Sequence, residues 1–487
     1  MNMGSTVDSQ YLRSAGRSMM VPFRLKLECN GQPSELVCTR VLRVLPGKRL
    51  VCFGEWNGKQ VVVKFFLDRR SAKRHCIREE RGLSAFRAAG IKTPALMFRG
   101  VLPPDSTPVL GFQRIIPVQN VTAAWEQAKT TDQRGELLSR AVAAIADQHE
   151  AGLKQDDLHL GNFLISGDDI YTIDGDAVDT RQMGKPLREA KSLRNMGLFF
   201  AQLYPRFDWL IPKVFQVYAE RRTWPVGHGL VASLMKEVHS QRNCRKKDYL
   251  KKIYRECSAF ACRKAWERFM VCDRDFYKEK MACFLDDPDP VIDASRLLKD
   301  GNTSTVALVE VGGQRLVVKR YNIKNAWHAI KRCFRPSRAW VSWRNAHRLA
   351  LLGIPTPKPI VLLEKRWGPF RSKAYFIMEY VDGIDAYHLL HSDTAKEINR
   401  EGFVKRFGKL LQLFADASIS HGDFKATNFI VANEGLSIID VDGMCEHRLR
   451  WRFRRAFRRD CKRLMKNWTD LPEVARMFRD QLTNIQL

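Results

Sequence analysis

Asp157, Asn162 and Asp174 stand five and then twelve residues apart, and Asp423, Asn428 and Asp440 repeat both intervals 266 residues later. These residue types suit one kind of chemistry. An aspartate can orient a hydroxyl and take its proton, while an asparagine and a second aspartate offer the hard oxygen donors that Mg2+ prefers. Phosphoryl transfer from a nucleotide needs such a set. It demands charge neutralisation and in-line geometry and little covalent work from the protein. It also needs a cation at the phosphates, and Lys64 and Lys319 supply one each, inside the apolar runs QVVVKFF and RLVVKRY.

The surrounding sequence repeats as well. Residues 157–176 (DLHLGNFLISGDDIYTIDGD) align without a gap on 423–442 (DFKATNFIVANEGLSIIDVD), and GIKTP at 90–94 answers GIPTP at 353–357. The offset drifts only from 255 through 263 to 266 residues, so modest insertions separate two copies of one design. The expected fold is α+β, with two tandem bilobal protein-kinase-like domains at 1–240 and 285–487. A basic, helical connector is expected between them at 241–284, because Gln241 to Lys280 contains no proline or glycine and its apolar residues recur near helical spacing.

Certain elements must position these side chains. Short apolar runs at Val41 to Leu45, Leu50 to Phe53 and Val61 to Phe66 read as the antiparallel strands of a small lobe, followed by a helix from Ser71 to Ala89. That helix offers Glu79 as the carboxylate to hold Lys64. The second half offers none, since no Asp or Glu occurs from Arg320 to Leu363, and Asn345 is its best-placed neutral polar residue. Asp176 and Asp442 read as turn residues. Neither half has a GxGxxG loop (Pro46-Gly47-Lys48 and Gly301-Asn302-Thr303-Ser304 stand there instead), an arginine before the catalytic aspartate, or an APE motif. These absences point away from a regulated protein kinase and towards a small-molecule or sugar kinase.

A net charge of +29 calls for an anionic partner. Arg448 to Arg463 (RLRWRFRRAFRRDCKR) interleaves aromatics with arginines on the acceptor side of the expected cleft. Nucleic acid is not expected, for want of any recognisable binding motif. No apolar run approaches a membrane span, and the N-terminus lacks the apolar stretch of a signal peptide, so a cytoplasmic protein is expected. The twelve cysteines form no CxxC pair, which argues against a zinc site.

The motifs HGDFKATN with SIIDVDG, and QDDLHLGNFL with YTIDGD, resemble those of the bacterial lipopolysaccharide kinases (Kdo/WaaP type), and GIPTP fits as well. The resemblance covers most of both halves. It implies ATP- and Mg2+-dependent phosphorylation of a heptose or Kdo sugar of the lipopolysaccharide inner core, at the inner face of the inner membrane. The partners implied are the core oligosaccharide or a lipid-linked precursor, and an anionic membrane surface. It assigns Asp157 and Asp423 as catalytic, Lys64, Glu79 and Lys319 to the nucleotide, and Asn162, Asp174, Asn428 and Asp440 to the metal. The competing reading is a pseudokinase scaffold that binds nucleotide or glycolipid without transfer. An antibiotic phosphotransferase shares the HGD pattern, but its cationic substrates would not suit so many arginines.

Overall fold

The computed structural model describes residues 6–225, 227–301, 303–322, 335–368, 370–392, 399–432 and 435–485. Asn302 and part of the acid-free stretch, 323–334, lie outside the described residues. Two compact units emerge, one reaching to Asn243 and the other starting at Cys244 and taking in Tyr204–Arg206.

In the first unit, β1 (Phe23–Cys29), β2 (Gln32–Leu45), β3 (Arg49–Trp56), β4 (Lys59–Phe66), β5 (Leu96–Leu102) and β6 (Thr107–Gln113) form a closed barrel in the order β1-β2-β3-β4-β6-β5. The strands expected of an open small lobe are present, but the layer closes on itself. The reason lies in β2, whose fourteen residues shift register near Cys38/Arg40 and Val41/Arg43, bending the strand until β1 meets β5 at Glu28 and Cys29. A short helix, α1 (Ser9–Ser14), adds Leu12 to the barrel core. Alternation in β4 sends Val61, Val63 and Phe65 into that core and leaves Lys64 on the opposite face.

The rest of this unit is mostly helical: α2 (Ala72–Ala88), α3 (Val121–Gln127), α4 (Thr131–Glu150), α5 (Glu189–Phe200), α6 (Ile211–Arg221) and, up to Asn243, α7 (His228–Lys252). Short strands thread between them. β7 (Gln119–Asn120) pairs with the hairpin of β9 (Phe163–Ser166) and β10 (Asp169–Thr172), and β8 (Lys154–Gln155) pairs with β11 (Val178–Asp179).

The second unit repeats this order. A seven-stranded sheet runs β12 (Phe260–Lys264), β13 (Arg268–Asp273), β17 (Pro359–Trp367), β18 (Phe370–Glu379), β16 (Gln314–Tyr321), β15 (Ser304–Val311), β14 (Arg296–Gly301), with α8 (Glu279–Asp286) and α9 (Asp289–Asp293) packed beside it. After β16 comes α10 (Arg338–Leu352), and after β18 come α11 (Ala386–His391), α12 (Arg400–Asp416), α13 (Arg450–Met465) and α14 (Pro472–Thr483). β19 (Ile384–Asp385) pairs with the hairpin of β21 (Phe429–Ala432) and β22 (Gly435–Ile438), as β20 (Ile419–Ser420) does with β23 (Cys445–Glu446). The repeated GIxTP segments do the same work in both units. Ile91 N–H bonds to the Phe86 carbonyl and Ile354 N–H to that of Leu349, closing the preceding helix. The carbonyls of Lys92 and Pro355 then accept from Thr172 N–H and Ile438 N–H, just ahead of Asp174 and Asp440.

One expectation is corrected. The helix expected through 241–284 ends at Lys252, β12 and β13 occupy 260–264 and 268–273, and the chain is helical again from Glu279. Phe269 to Cys272 form a continuous buried run, which satisfies a central strand better than one face of a helix, and β13 pairs with β17 from Arg268 to Cys272.

Both units bury histidines: His149 in the first, His347 and His421 in the second. Burial pushes His149 and His347 down to about 3. The unfolded chain therefore takes up protons below pH 6.5 that the folded chain refuses, and stability present above that pH is lost as the pH falls towards 3. The slope is about 1.4 kcal/mol per pH unit for each histidine. Denaturant unfolding at pH 7 and pH 5 is expected to differ by about 2 kcal/mol per site, and His149→Gln should flatten the fall in the first unit. An unchanged slope in that variant would refute the assignment.

Candidate active sites

In the first unit Lys64 Nζ lies 2.5 Å from Glu79 Oε1 and 2.9 Å from Asp174 Oδ1. Glu79 is fully buried, and its two oxygens also accept from Gly175 N–H and Asp176 N–H at 3.2 Å each. Burial alone would lower the lysine pKa, but the two carboxylates outweigh it and raise it above the ordinary value. Lys64 in turn holds Asp174 down to about 2. Helix α2 reaches this turn through two glycines. A Cβ on Gly175 would lie 2.1 Å from the Glu79 carbonyl oxygen, and one on Gly82 would lie 2.1 Å from that of Gly175. Gly175→Ala is therefore expected to cost about 1–3 kcal/mol by forcing α2 away. Gly135→Ala, in open space on α4, should instead stabilise by about 0.5–1 kcal/mol. Melting curves of the two variants that shift in the same direction would contradict this packing.

Gln155 donates to the carbonyls of Ile173 and Asp174, and Asn195 on α5 donates to the Gln155 carbonyl at 2.8 Å while bonding His149 Nε2 at 2.9 Å. This chain supports the loop from behind. Asp157 itself is exposed and forms no hydrogen bond among the described residues.

In the second unit Lys319 Nζ lies 2.5 Å from Asp440 Oδ1 and 3.3 Å from Asp442 Oδ2. No glutamate is needed. Asp442 takes that place and is itself held by Arg338, at 2.7 Å, and by the Tyr321 hydroxyl at 3.3 Å. Burial works against the charged lysine here too, yet its pKa is raised by its anionic surroundings. Asn345 does not bond Lys319. Its amide donates to the carbonyls of Val441 and Met444, tying α10 to the aspartate turn. Reading Asp176 and Asp442 as plain turn residues is likewise corrected, since Asp176 accepts from Arg49 at 2.6 Å and contacts His75 at 2.8 Å.

The loop before Asp423 is fixed from α13. Asp460, buried in a helix of arginines, accepts from His421 N–H at 2.7 Å and Gly422 N–H at 3.1 Å. Gly422 has φ +84°, and a Cβ there would meet the Gly443 carbonyl oxygen at 2.8 Å, so glycine suits this position. Arg463 donates to Asp423 Oδ1 and to the Gly422 carbonyl, both at 2.8 Å, and Lys425 lies 3.3 Å from Asp423 Oδ2. Sequence reasoning missed Asp460 and Arg463. The available signal was a lone acid in a run of arginines, set on the apolar side of its helix.

The oxygen donors can be tested for a cation. Asn428 Nδ2 donates to the Asp423 carbonyl at 2.8 Å, which turns its Oδ1 away from that bond, and Asp440 adopts the left-handed backbone (φ +57°) that aims its carboxylate at Lys319. One amide oxygen and one carboxylate fit a hard divalent ion that draws its other ligands from phosphate and water. No cluster of three or more His, Cys, Asp or Glu that could hold a metal occurs among the described residues. In the first unit Asn162 Oδ1 instead accepts from His159 N–H at 2.7 Å.

Lys319, Asp423, Asn428 and Asp440 all fall within one stretch that comparison recognises. Residues 292–483 match the lipopolysaccharide kinase (Kdo/WaaP) family. No curated protein matches the chain. The match to the lipopolysaccharide kinases leaves out the first unit, where Gln155, Asp156 and His159 stand at the places of His421, Gly422 and Lys425. Among the described residues, no helix is long and apolar enough to cross a membrane.

Proposed function

We propose that the second unit phosphorylates a heptose or Kdo sugar of the lipopolysaccharide inner core from ATP, and that the two units are tandem protein-kinase-like domains. What carries the reading is the Lys319–Asp440 pair beside the Asp423–Asn428 loop, inside the stretch that matches the family. Lys319 would meet the nucleotide phosphates, and Asn428 and Asp440 would hold Mg2+. The ion would neutralise charge on the transferring group. Asp423 would orient the acceptor hydroxyl and take its proton. Positioned between Arg463 and Lys425, it faces two cations that suit an anionic substrate. The site of action is the cytoplasmic face of the inner membrane, where this acceptor is assembled.

The test is transfer to purified inner-core acceptors with Mg2+ and ATP, read by mass spectrometry of the product. Failure to phosphorylate any heptose- or Kdo-bearing acceptor would sink the reading. A second reading applies to the first unit alone, as a domain that binds nucleotide or glycolipid without transfer. Its support is the Asn162 oxygen engaged by His159 N–H, with histidine where Lys425 stands in the second unit.

A further inference from the structure

The exposed side of α13 carries cations in an unusual arrangement. Phe453, Phe457, Asp460 and Leu464 form its buried side. Arg452, Arg455, Arg459 and Arg463 are exposed and recur at intervals of three and four, which sets them on one face over about 16 Å of helix. Arg463 ends the row on the Asp423 carboxylate. Arg452, Arg455 and Arg459 form no ion pair among the described residues, so three successive turns present guanidinium groups with no carboxylate to offset their repulsion.

We propose that this row is the acceptor track of the second unit: it binds a sugar chain bearing phosphate or carboxylate groups and delivers its free end to Asp423. The inference rests on the sugar-kinase reading and deepens it, because it names the substrate as already anionic at positions away from the reacting hydroxyl. Guanidinium groups pair bidentately with phosphate and carboxylate, so the row reads charge spacing along the chain. Arg463 acts at its end as a positioning residue. It holds Asp423 in the free enzyme and passes to an anionic group of the acceptor as the hydroxyl arrives. The phosphorylated sugar must therefore come from reactions that have already placed an acidic sugar or a phosphate on the same chain.

The probe is a phosphate-bearing core oligosaccharide, compared with the same material after phosphatase treatment. Full-length protein is expected to bind the phosphorylated form at least tenfold more tightly by calorimetry, with the preference fading as salt rises. R455Q/R459Q, altered at exposed residues away from the catalytic groups, should lose most of that preference while keeping its melting temperature. In turnover it should raise KM for the phosphorylated acceptor about tenfold and leave kcat near wild type. The lysine pair R455K/R459K should recover part of the loss. Equal affinity for the two forms, or a preference that survives in R455Q/R459Q, would overturn the track. So would displacement of the oligosaccharide by a single-stranded RNA of matched charge at equal concentration, since the row would then be a nucleic-acid surface. Binding is read without turnover. A preference for the phosphorylated chain without transfer would uphold the track and remove the kinase reading, and transfer without preference would do the reverse.

Discussion

Asp423→Asn is expected to lower phosphoryl transfer to a core acceptor by about two to four orders of magnitude, the range for loss of a positioned general base. The substitution keeps the shape of the side chain and its place beside Arg463 and Lys425, so the fold should survive. Its melting curve should match wild type, which separates a chemical defect from a structural one. Lys319 remains paired with Asp440 and Asp442, and nucleotide affinity should change little. Asp157→Asn is the companion measurement. If the first unit only binds, that variant retains nearly full transfer; a comparable loss would show that both units turn over. Undiminished activity in Asp423→Asn and in the double variant would contradict the assignment of either aspartate.

The second large effect is on stability. Glu79→Ala removes one of the two carboxylates that hold Lys64, leaving it Asp174, and removes the acceptor of two backbone N–H groups at a fully buried position. Leaving those two N–H groups without an acceptor costs about 1–3 kcal/mol each. Denaturant unfolding of the full chain should show this loss in the transition of the first unit and leave that of the second in place. Glu79→Gln, which keeps a side-chain oxygen for the backbone N–H groups while Asp174 holds Lys64, should retain part of the stability. If it is no more stable than Glu79→Ala, the lost backbone acceptor is not the source of the loss.

Much of the site was readable from residue spacing because its parts are local. The loop from Asp423 to Asn428 and the strand lysines are short segments whose geometry follows from a strand period and a tight turn. The partner of Lys64 was also readable, since α2 follows β4 after a short link and the carboxylate lies at a fixed helical distance from Gly90. The partner of Lys319 was not. Its spacing marks Asp442 as no more than a turn residue, and nothing local shows that Arg338, over a hundred positions away, holds it. Asp460 escaped for a similar reason: its role depends on packing of α13 against the loop, a long-range event. The strands at 260–264 and 268–273 were lost to a different ambiguity. A stretch without proline or glycine satisfies helix and strand alike, and only the partner strand β17 decides.

The source of the carboxylate that holds each lysine has a consequence for control. Lys64 is held in part by Glu79, which is carried on α2, so any outward swing of that helix would separate the pair. Lys319 takes both of its carboxylates from a single three-residue turn, Asp440 to Asp442, and the corresponding helix contributes none. The first unit thus ties its lysine to a helix, whereas the second ties its lysine to one turn, and its helix reaches that turn only through Arg338. Loosening α2 with Gly82→Val should therefore weaken nucleotide binding to the first unit and leave the second unaffected, a difference that titration of a fluorescent ATP analogue would reveal as the loss of one of two binding phases.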